Sequence, residues 1–331
     1  MKQNKIIAEI GSVHDGSFGN AKKLIEESAN AGADVVKFQL HIFEEESTSL
    51  APNPAYFSDE TRRDYFERTS FTKNQWAELK ELSEAFGLEF LVSPFSIKAI
   101  ESLEEIGVNE YKVPSGEVSN LPLLQKLSNI GKPVILSTGM STWDEIDAAV
   151  AILSKNCDLT VLQCSSLYPC PNKHVGLNII KEMKDRYGCD VGLSDHTLGF
   201  SASVAAAALG ATVVEKHVTF SQAMYGSDAS HSMNFKDFTL FCSMMRDTWS
   251  MSENMVDKDD DSLYMNIKQV FEKSIVASTD LKENTVISIS TMSYKKPGTG
   301  ISASKYRDLI GKKLSKSVKK DSLFSWDDFY E

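Results

Sequence analysis

What this chain lacks narrows its identity before any motif is read. It is 331 residues long and has no long apolar run: the longest near-apolar stretch, Ala202–Val214, is well short of the ~20 residues needed to cross a bilayer. Cysteine is scarce. The five present (157, 164, 170, 189, 242) are odd in number and show no metal-binding spacing, which suits reduced thiols and not a disulfide framework. A basic excess is also missing. The formal net charge of −11 argues against general binding to nucleic acid or to an anionic membrane. No GxGxxG opens the first unit, which weakens a dinucleotide-binding reading, and no histidine lies in an HExxH or CxxC pattern, which argues against a structural zinc site. The N-terminus, MKQNKIIAEIG, runs into an apolar segment without a signal-like stretch. The expectation is a soluble cytoplasmic protein whose 42% apolar residues are enough for a large core.

What is present is a rhythm. Apolar runs predict strands at Ile6–Gly11, Asp34–Gln39, Glu89–Phe95, Glu110–Gly116, Pro133–Gly139, Leu159–Cys164, Val191–Ser194 and Thr212–His217. Helical spacing follows each of them, first at Asn20–Asn30, where Ala21, Leu24, Ile25, Ser28 and Ala29 share a face and Gly32 is the stop. The other predicted helices are Gln75–Phe86, Lys98–Ile106, Leu121–Asn129, Trp143–Ser154, Leu177–Tyr187, Phe200–Leu209 and Phe235–Met251. Eight such units predict a (β/α)8 TIM barrel over residues 1–255, with its active site at the C-terminal strand ends. An open doubly wound sheet is the structural alternative. Residues 40–73, rich in charges and in the aromatics Tyr56, Phe57, Tyr65 and Phe66, read as a long functional loop or lid. The charge run Asp257–Asp261 marks a linker over 256–267. Residues 268–331 change to short β-like runs and turns, with 12 Lys plus Arg against 8 Asp plus Glu. A small basic domain of this kind is either a lid over an anionic substrate or a stabilising appendage.

The chain is organised around Gly192–Val218. Two short strands flank an Ala-rich helix closed by Gly210, so a right-handed parallel unit brings His196 and His217 to one sheet edge, a few ångströms apart. Two imidazoles with oxygen ligands would suit Mn, Fe, Co or Zn, with positions left for water or substrate. Polar residues collect at the predicted strand ends: Glu9, Lys37, Gln39, Ser93, Lys112, Ser115, Glu117, Ser137, Thr138, Gln163, Ser165, Ser166, Asp195, His196, Glu215 and His217. Buried charges are costly unless paired or engaged by a ligand. Two lysines with several hydroxyls would suit phosphate or carboxylate, neighbouring carboxylates could move protons, and a metal could polarise a carbonyl. The combination points to carbon–carbon bond formation between an anionic enol donor and an aldehyde.

The segments IIAEIGSVHDG (6–16), AGADVVKFQ (31–39), SPFS (93–96), YKVPSGE (111–117), KPVILSTGMS (132–141), GLSDHT (192–197), EKHVT (215–219) and KKPGTGI (295–301) resemble the N-acetylneuraminate (sialic acid) synthase family over nearly the whole chain. Residues 268–331 look like that family's antifreeze-like (SAF) domain. The resemblance implies condensation of phosphoenolpyruvate (PEP) with an N-acyl aminosugar aldehyde to give a nine-carbon 2-keto sugar acid and phosphate. The sugar would be N-acetylmannosamine or a 6-deoxy diacetamido hexose leading to a legionaminic- or pseudaminic-type acid.

By the same resemblance, His196 and His217 would hold a divalent metal, Mn²⁺ first, with Mg²⁺ or Co²⁺ as alternatives. Lys37, Ser93, Lys112, Ser115, Ser137 and Ser166 would bind PEP. Glu9, Glu117 and Glu215 would stand by the metal and the reacting water, while Gln39, Tyr168 and Asp228 would bind the sugar. Lys296 would reach the sugar from the partner chain of a domain-swapped homodimer. Three positions depart from the family's usual residues: Lys296 stands where Arg is usual, Ser166 where Asn is frequent, and Val13 where Asn precedes the histidine. The rival readings are another metal-dependent barrel enzyme, such as an aldolase or a shorter-chain PEP-using synthase, and a non-catalytic glycan-binding protein.

Overall fold

The computed structural model describes residues 4–53 and 60–330; Tyr56 and Phe57 of the 40–73 stretch lie outside the described residues. The chain divides into two compact units, Met1–Asn254 and Met255–Glu331.

In the first unit eight parallel strands close on themselves: β1 (Lys5–Gly11), β2 (Val35–Leu40), β3 (Glu89–Pro94), β4 (Tyr111–Val113), β5 (Val134–Ser137), β6 (Leu159–Cys164), β7 (Asp190–Asp195) and β8 (Val213–Thr219), with β8 pairing back onto β1. Each strand is buried on both faces, which is why it reads as an apolar run and not as an alternating one. The helices start where the sequence offers caps. Thr72 with Gln75 and Thr142 with Glu145 form reciprocal capping boxes, and Ser17 and Asn120 accept from the backbone three residues on. Apolar helix faces pack on the outside of the barrel, so the main core lies between the two layers.

Within the barrel a smaller apolar layer, Ile7, Val35, Leu91, Ile135, Leu162 and Val213, plugs the lower half. Side chains alternate along a strand, so two residues further each of these strands turns another side chain inward. Those residues are Glu9, Lys37, Ser93, Ser137, Cys164 and Glu215. The polar floor of the barrel mouth is thus the same period of two, continued one step beyond the apolar plug.

Three expectations need correction. The 40–73 stretch is not one loop: Phe43–Glu46 and Arg62–Thr69 are helical, the latter capped by Thr61 and anchored by buried Tyr65 and Thr69. The strand expected over Glu110–Gly116 ends at Val113, because Pro114 has no N–H for the ladder, and Ser115–Glu117 turns into a 3-10 helix. The segment read as a 256–267 linker already contains a 3-10 turn at Ser262–Tyr264 and the start of the helix Met265–Phe271, which runs past the expected boundary at 268.

The second unit pairs β10 (Ser274–Ala277) with β11 (Met292–Lys295) antiparallel; the two-residue strand β9 (Met233–Asn234) belongs to the barrel unit. Its own core gathers Ile275, Leu281, Ile287, Met292, Leu309, Leu314, Phe324 and Phe329. Leu263, Ile267, Val270 and Phe271, around its first helix, are exposed. Among the described residues no helix is long and apolar enough to cross a membrane.

Candidate active site at the barrel mouth

A cavity of about 530 Å³ opens at the C-terminal ends of the strands. Its lining includes Glu9, Lys37, Gln39, Lys112, Ser115, Glu117, Ser137, Ser166, Tyr168, His196, Glu215, His217 and Asp228. Ser93, the other residue expected on the barrel to bind PEP, is fully buried beside Lys37, its Oγ 3.5 Å from the lysine Nζ, and is not among the lining residues. Lys296 belongs to the second unit, where its ammonium stands 4.7 Å from the centre of the Phe271 ring.

Strand register explains the convergence. Glu9 lies beside Lys37 on one side and His217 on the other, and the β7–β8 register, Ser194 beside Glu215 and Asp195 beside Lys216, carries forward to His196 beside His217. The two imidazole centres are 5.5 Å apart. On the floor, Lys37 Nζ is 2.8 Å from Glu9 Oε1 and 3.5 Å from Glu215 Oε1, while Lys112 Nζ is 3.5 Å from Glu215 Oε2 and donates to Ser137 Oγ at 2.6 Å. All four charged side chains are at most 5% exposed.

Burial works against each of these charges, and the neighbours decide the outcome. Burial alone would depress the Lys37 ammonium, but Glu215 and Glu9 outweigh it and hold its pKa above the ordinary lysine value. For Lys112 burial wins: Glu215 opposes it only in part, Lys37 adds to it, and the pKa falls. Burial would raise Glu215, yet Lys112 and Lys37 hold it down at about 2. Glu117, half-buried, is raised by desolvation against the hydrogen bond that Asn120 donates. The floor is therefore charge-matched but not hydrogen-bond-matched. Glu9 Oε2, Glu215 Oε2 and His217 Nδ1 are buried with no hydrogen-bond partner. Orphaned buried polar atoms are costly, and three in one cavity mark a place suited to a ligand.

The histidines fit a divalent ion. His196 Nδ1 donates to the Ser165 carbonyl at 2.8 Å, which leaves the lone pair on Nε2, and His217 has its buried Nδ1 unengaged. Among the described residues no group of three or more His, Cys, Asp or Glu side chains forms a cage. Two imidazoles with the remaining positions open is the arrangement these residues offer.

Two glycines shape the cavity. Gly11 ends β1 at φ +50 where the β1–β2 register shifts, and a Cβ there would lie 2.8 Å from Asp228 Oδ2. A Cβ on Gly139 would meet Ser166 Oγ, Cys164 Sγ and Ser115 Oγ, all within 2.9 Å. Beyond the floor, Tyr168 packs on His196 with ring centres 4.1 Å apart, and Asp228 accepts from the Ser12 backbone and hydroxyl.

Not every polar strand end reaches this cavity. Gln163 donates to the Val175 carbonyl, Thr138 to the Leu162 carbonyl, and Asp195 pairs with buried Lys216, so these three point to the strand–helix side. The cavity instead recruits Ser12, His41, Cys164, Ser194, Phe66, Phe95 and His231, which sequence reasoning did not single out for the site. The period of two would have found Cys164 and Ser194; loop residues such as His41 carry no such signal.

Fold and site together define a (β/α)8-barrel protein with paired lysines and paired histidines at its catalytic face. The chain belongs to the NeuB family, the sialic-acid-type synthases, whose model matches residues 24–257, and a SAF domain matches residues 272–329. It is 36% identical to the N,N'-diacetyllegionaminic acid synthase of Campylobacter jejuni, covering 98% of this chain and 99% of that one. A pseudaminic acid synthase of the same species is 31% identical over 98% of this chain and 96% of its own. Among solved structures, the N-acetylneuraminic acid synthetase of Leptospira borgpetersenii superposes with a TM-score of 0.71 at 28% identity, covering 81% of this chain and 91% of that one.

Proposed function

We propose that this chain condenses phosphoenolpyruvate with the open-chain aldehyde of an N-acyl aminosugar, giving a nine-carbon 2-keto sugar acid and phosphate. The observation that carries the reading is the floor: two buried lysines and a cluster of hydroxyls beside two imidazoles. Lys37, Lys112, Ser115, Ser137 and Ser166 bind the carboxylate and phosphate of PEP, with Ser93 acting through Lys37. The C3 carbon of PEP bonds to the aldehyde carbon, water adds at C2, and the C–O bond to phosphate breaks. Glu9 and Glu215, each with a buried oxygen that accepts no hydrogen bond, accept protons from that water or orient it. Glu117, with its raised pKa, serves as a proton donor from the cavity lining.

A divalent ion, Mn²⁺ in first place, held by His196 and His217 would supply Lewis acidity toward the aldehyde oxygen. Charge balance supports it. Two ammonium groups facing two carboxylates leave nothing over for a multiply charged anion, and a dication restores the surplus.

Gln39, Tyr168 and Asp228 meet the sugar. The aromatic wall of Phe66 and Phe95 with Met140, and the 36% likeness to a diacetyllegionaminic acid synthase, support a 6-deoxy diacetamido hexose over N-acetylmannosamine. A homodimer in which the partner's SAF domain delivers Lys296 is part of the same reading, supported by the exposed Leu263, Ile267, Val270 and Phe271.

The test mixes the protein, Mn²⁺ and PEP with a panel of aminosugars, measuring phosphate release and product mass. Release that requires both substrates, with a product of the summed carbon skeleton, is expected. PEP turnover indifferent to the sugar, or none with any sugar, removes the proposal.

A further inference from the structure

His41 lies just beyond β2 at the cavity wall and was assigned no role from the sequence. Its ring is clamped between two others: Phe66 and Phe95 each stack on it with centres 4.0 Å away, tilted by 11° and 22°. Both of its nitrogens face acceptors. Nδ1 is 2.9 Å from Glu46 Oε1, and Nε2 is 3.2 Å from Gln39 Oε1. Gln39 in turn donates from its amide nitrogen to Glu9 Oε1 at 2.8 Å, the same oxygen that Lys37 holds at 2.8 Å. Glu9 Oε1 already accepts from the Lys37 ammonium, so Gln39 turns its N–H toward Glu9 and its oxygen toward His41.

We infer that His41 is a positioning residue, which donates from both ring nitrogens and thereby locks Gln39 in the single amide orientation that secures Glu9. The chain Glu46–His41–Gln39–Glu9 runs from the cavity wall to its floor. At its far end it occupies Glu9 Oε1 twice and leaves Oε2, buried and unbonded, as the oxygen that faces incoming chemistry. Glu117 also acts on His41 electrostatically, so the ring lies in the field of two carboxylates. The inference rests on the reaction proposed above for its kinetic consequence, but not for its geometry.

Two measurements test it. In proton–nitrogen correlation spectra of histidine-labelled protein at neutral pH, the His41 ring, identified by its loss in His41→Phe, is expected to show both nitrogens protonated. His41→Phe keeps the stack and removes both donors. With Gln39 released, kcat should fall about 10- to 100-fold and the sugar KM rise, as for loss of a hydrogen bond within a charged network, while the PEP KM stays within about twofold. An unprotonated ring nitrogen in His41, or wild-type kcat and sugar KM in His41→Phe, overturns the inference. A wild-type protein without turnover would instead remove the proposed reaction and leave the spectra to decide the role of His41.

Discussion

Two sets of buried charge lie on opposite faces of the same barrel wall. On the outward face, Asp195 and Lys216 close on each other at 3.0 Å, and both carboxylate oxygens and the ammonium find further local partners. Lys216 donates to the Thr197 carbonyl, while Asp195 accepts from the Thr197 backbone and the Ser203 hydroxyl. On the inward face, Glu9, Lys37, Lys112 and Glu215 match in charge but leave two carboxylate oxygens without a hydrogen bond, one of them, Glu215 Oε2, only in an ion pair with Lys112 at 3.5 Å. The first set is complete without a ligand and holds the turn that carries His196. The second is complete only with one. Saturation of hydrogen bonding, and not burial or charge, separates structural ions from functional ones here.

Breaking the outward set should have the largest effect. Lys216→Met strands a buried carboxylate, so unfolding by denaturant should show a loss of roughly 3–5 kcal/mol. A further Asp195→Leu should recover only part of it, because Thr197 and Ser203 then lose their acceptor. Breaking the inward set should do the opposite. Lys112→Met is expected to lower turnover by about 10²–10³-fold in the phosphate-release assay, as for removal of a preorganised charge, with stability unchanged or higher. Burial depresses the Lys112 ammonium as it does that of Lys216, and the difference is that Lys37 still faces Glu215 once Lys112 is gone. A fall in stability matching that of Lys216→Met would erase the distinction.

A third buried group sharpens the contrast by having no counter-ion in hydrogen-bonding contact. His14 accepts from the Gly16 backbone through Nδ1, and burial pushes its pKa down to about 4. The neutral ring is the form the fold requires, so its contribution is fully present above the unfolded value of ~6.5 and is lost as pH falls toward 4. Stability should decline by up to about 3 kcal/mol across that window, and His14→Phe should flatten the curve there.

Much of this was legible in the residues themselves. The eight strands appear where apolar runs predicted them, because strands buried on both faces leave an unbroken apolar signature. The pairing of His196 with His217 follows from a strand–helix–strand unit whose register nothing interrupts. The misreadings have one physical origin. Thr138, Gln163 and Asp195 sit at strand ends like the site residues, but alternate side chains face opposite ways, and only a phase taken from Ile7, Leu91 and Leu162 tells the two apart. His41 was invisible for another reason: its meaning comes from Phe66 and Phe95, 25 and 54 residues away, on segments that meet only in three dimensions.

Barrel closure carries a consequence for how the molecule assembles. Through β4 the growing chain has presented two floor lysines and a single floor carboxylate, Glu9; the second carboxylate, Glu215, arrives only with β8. The strand that seals the barrel is therefore also the one that brings the floor's charges into balance, so the catalytic face is complete only when the fold is.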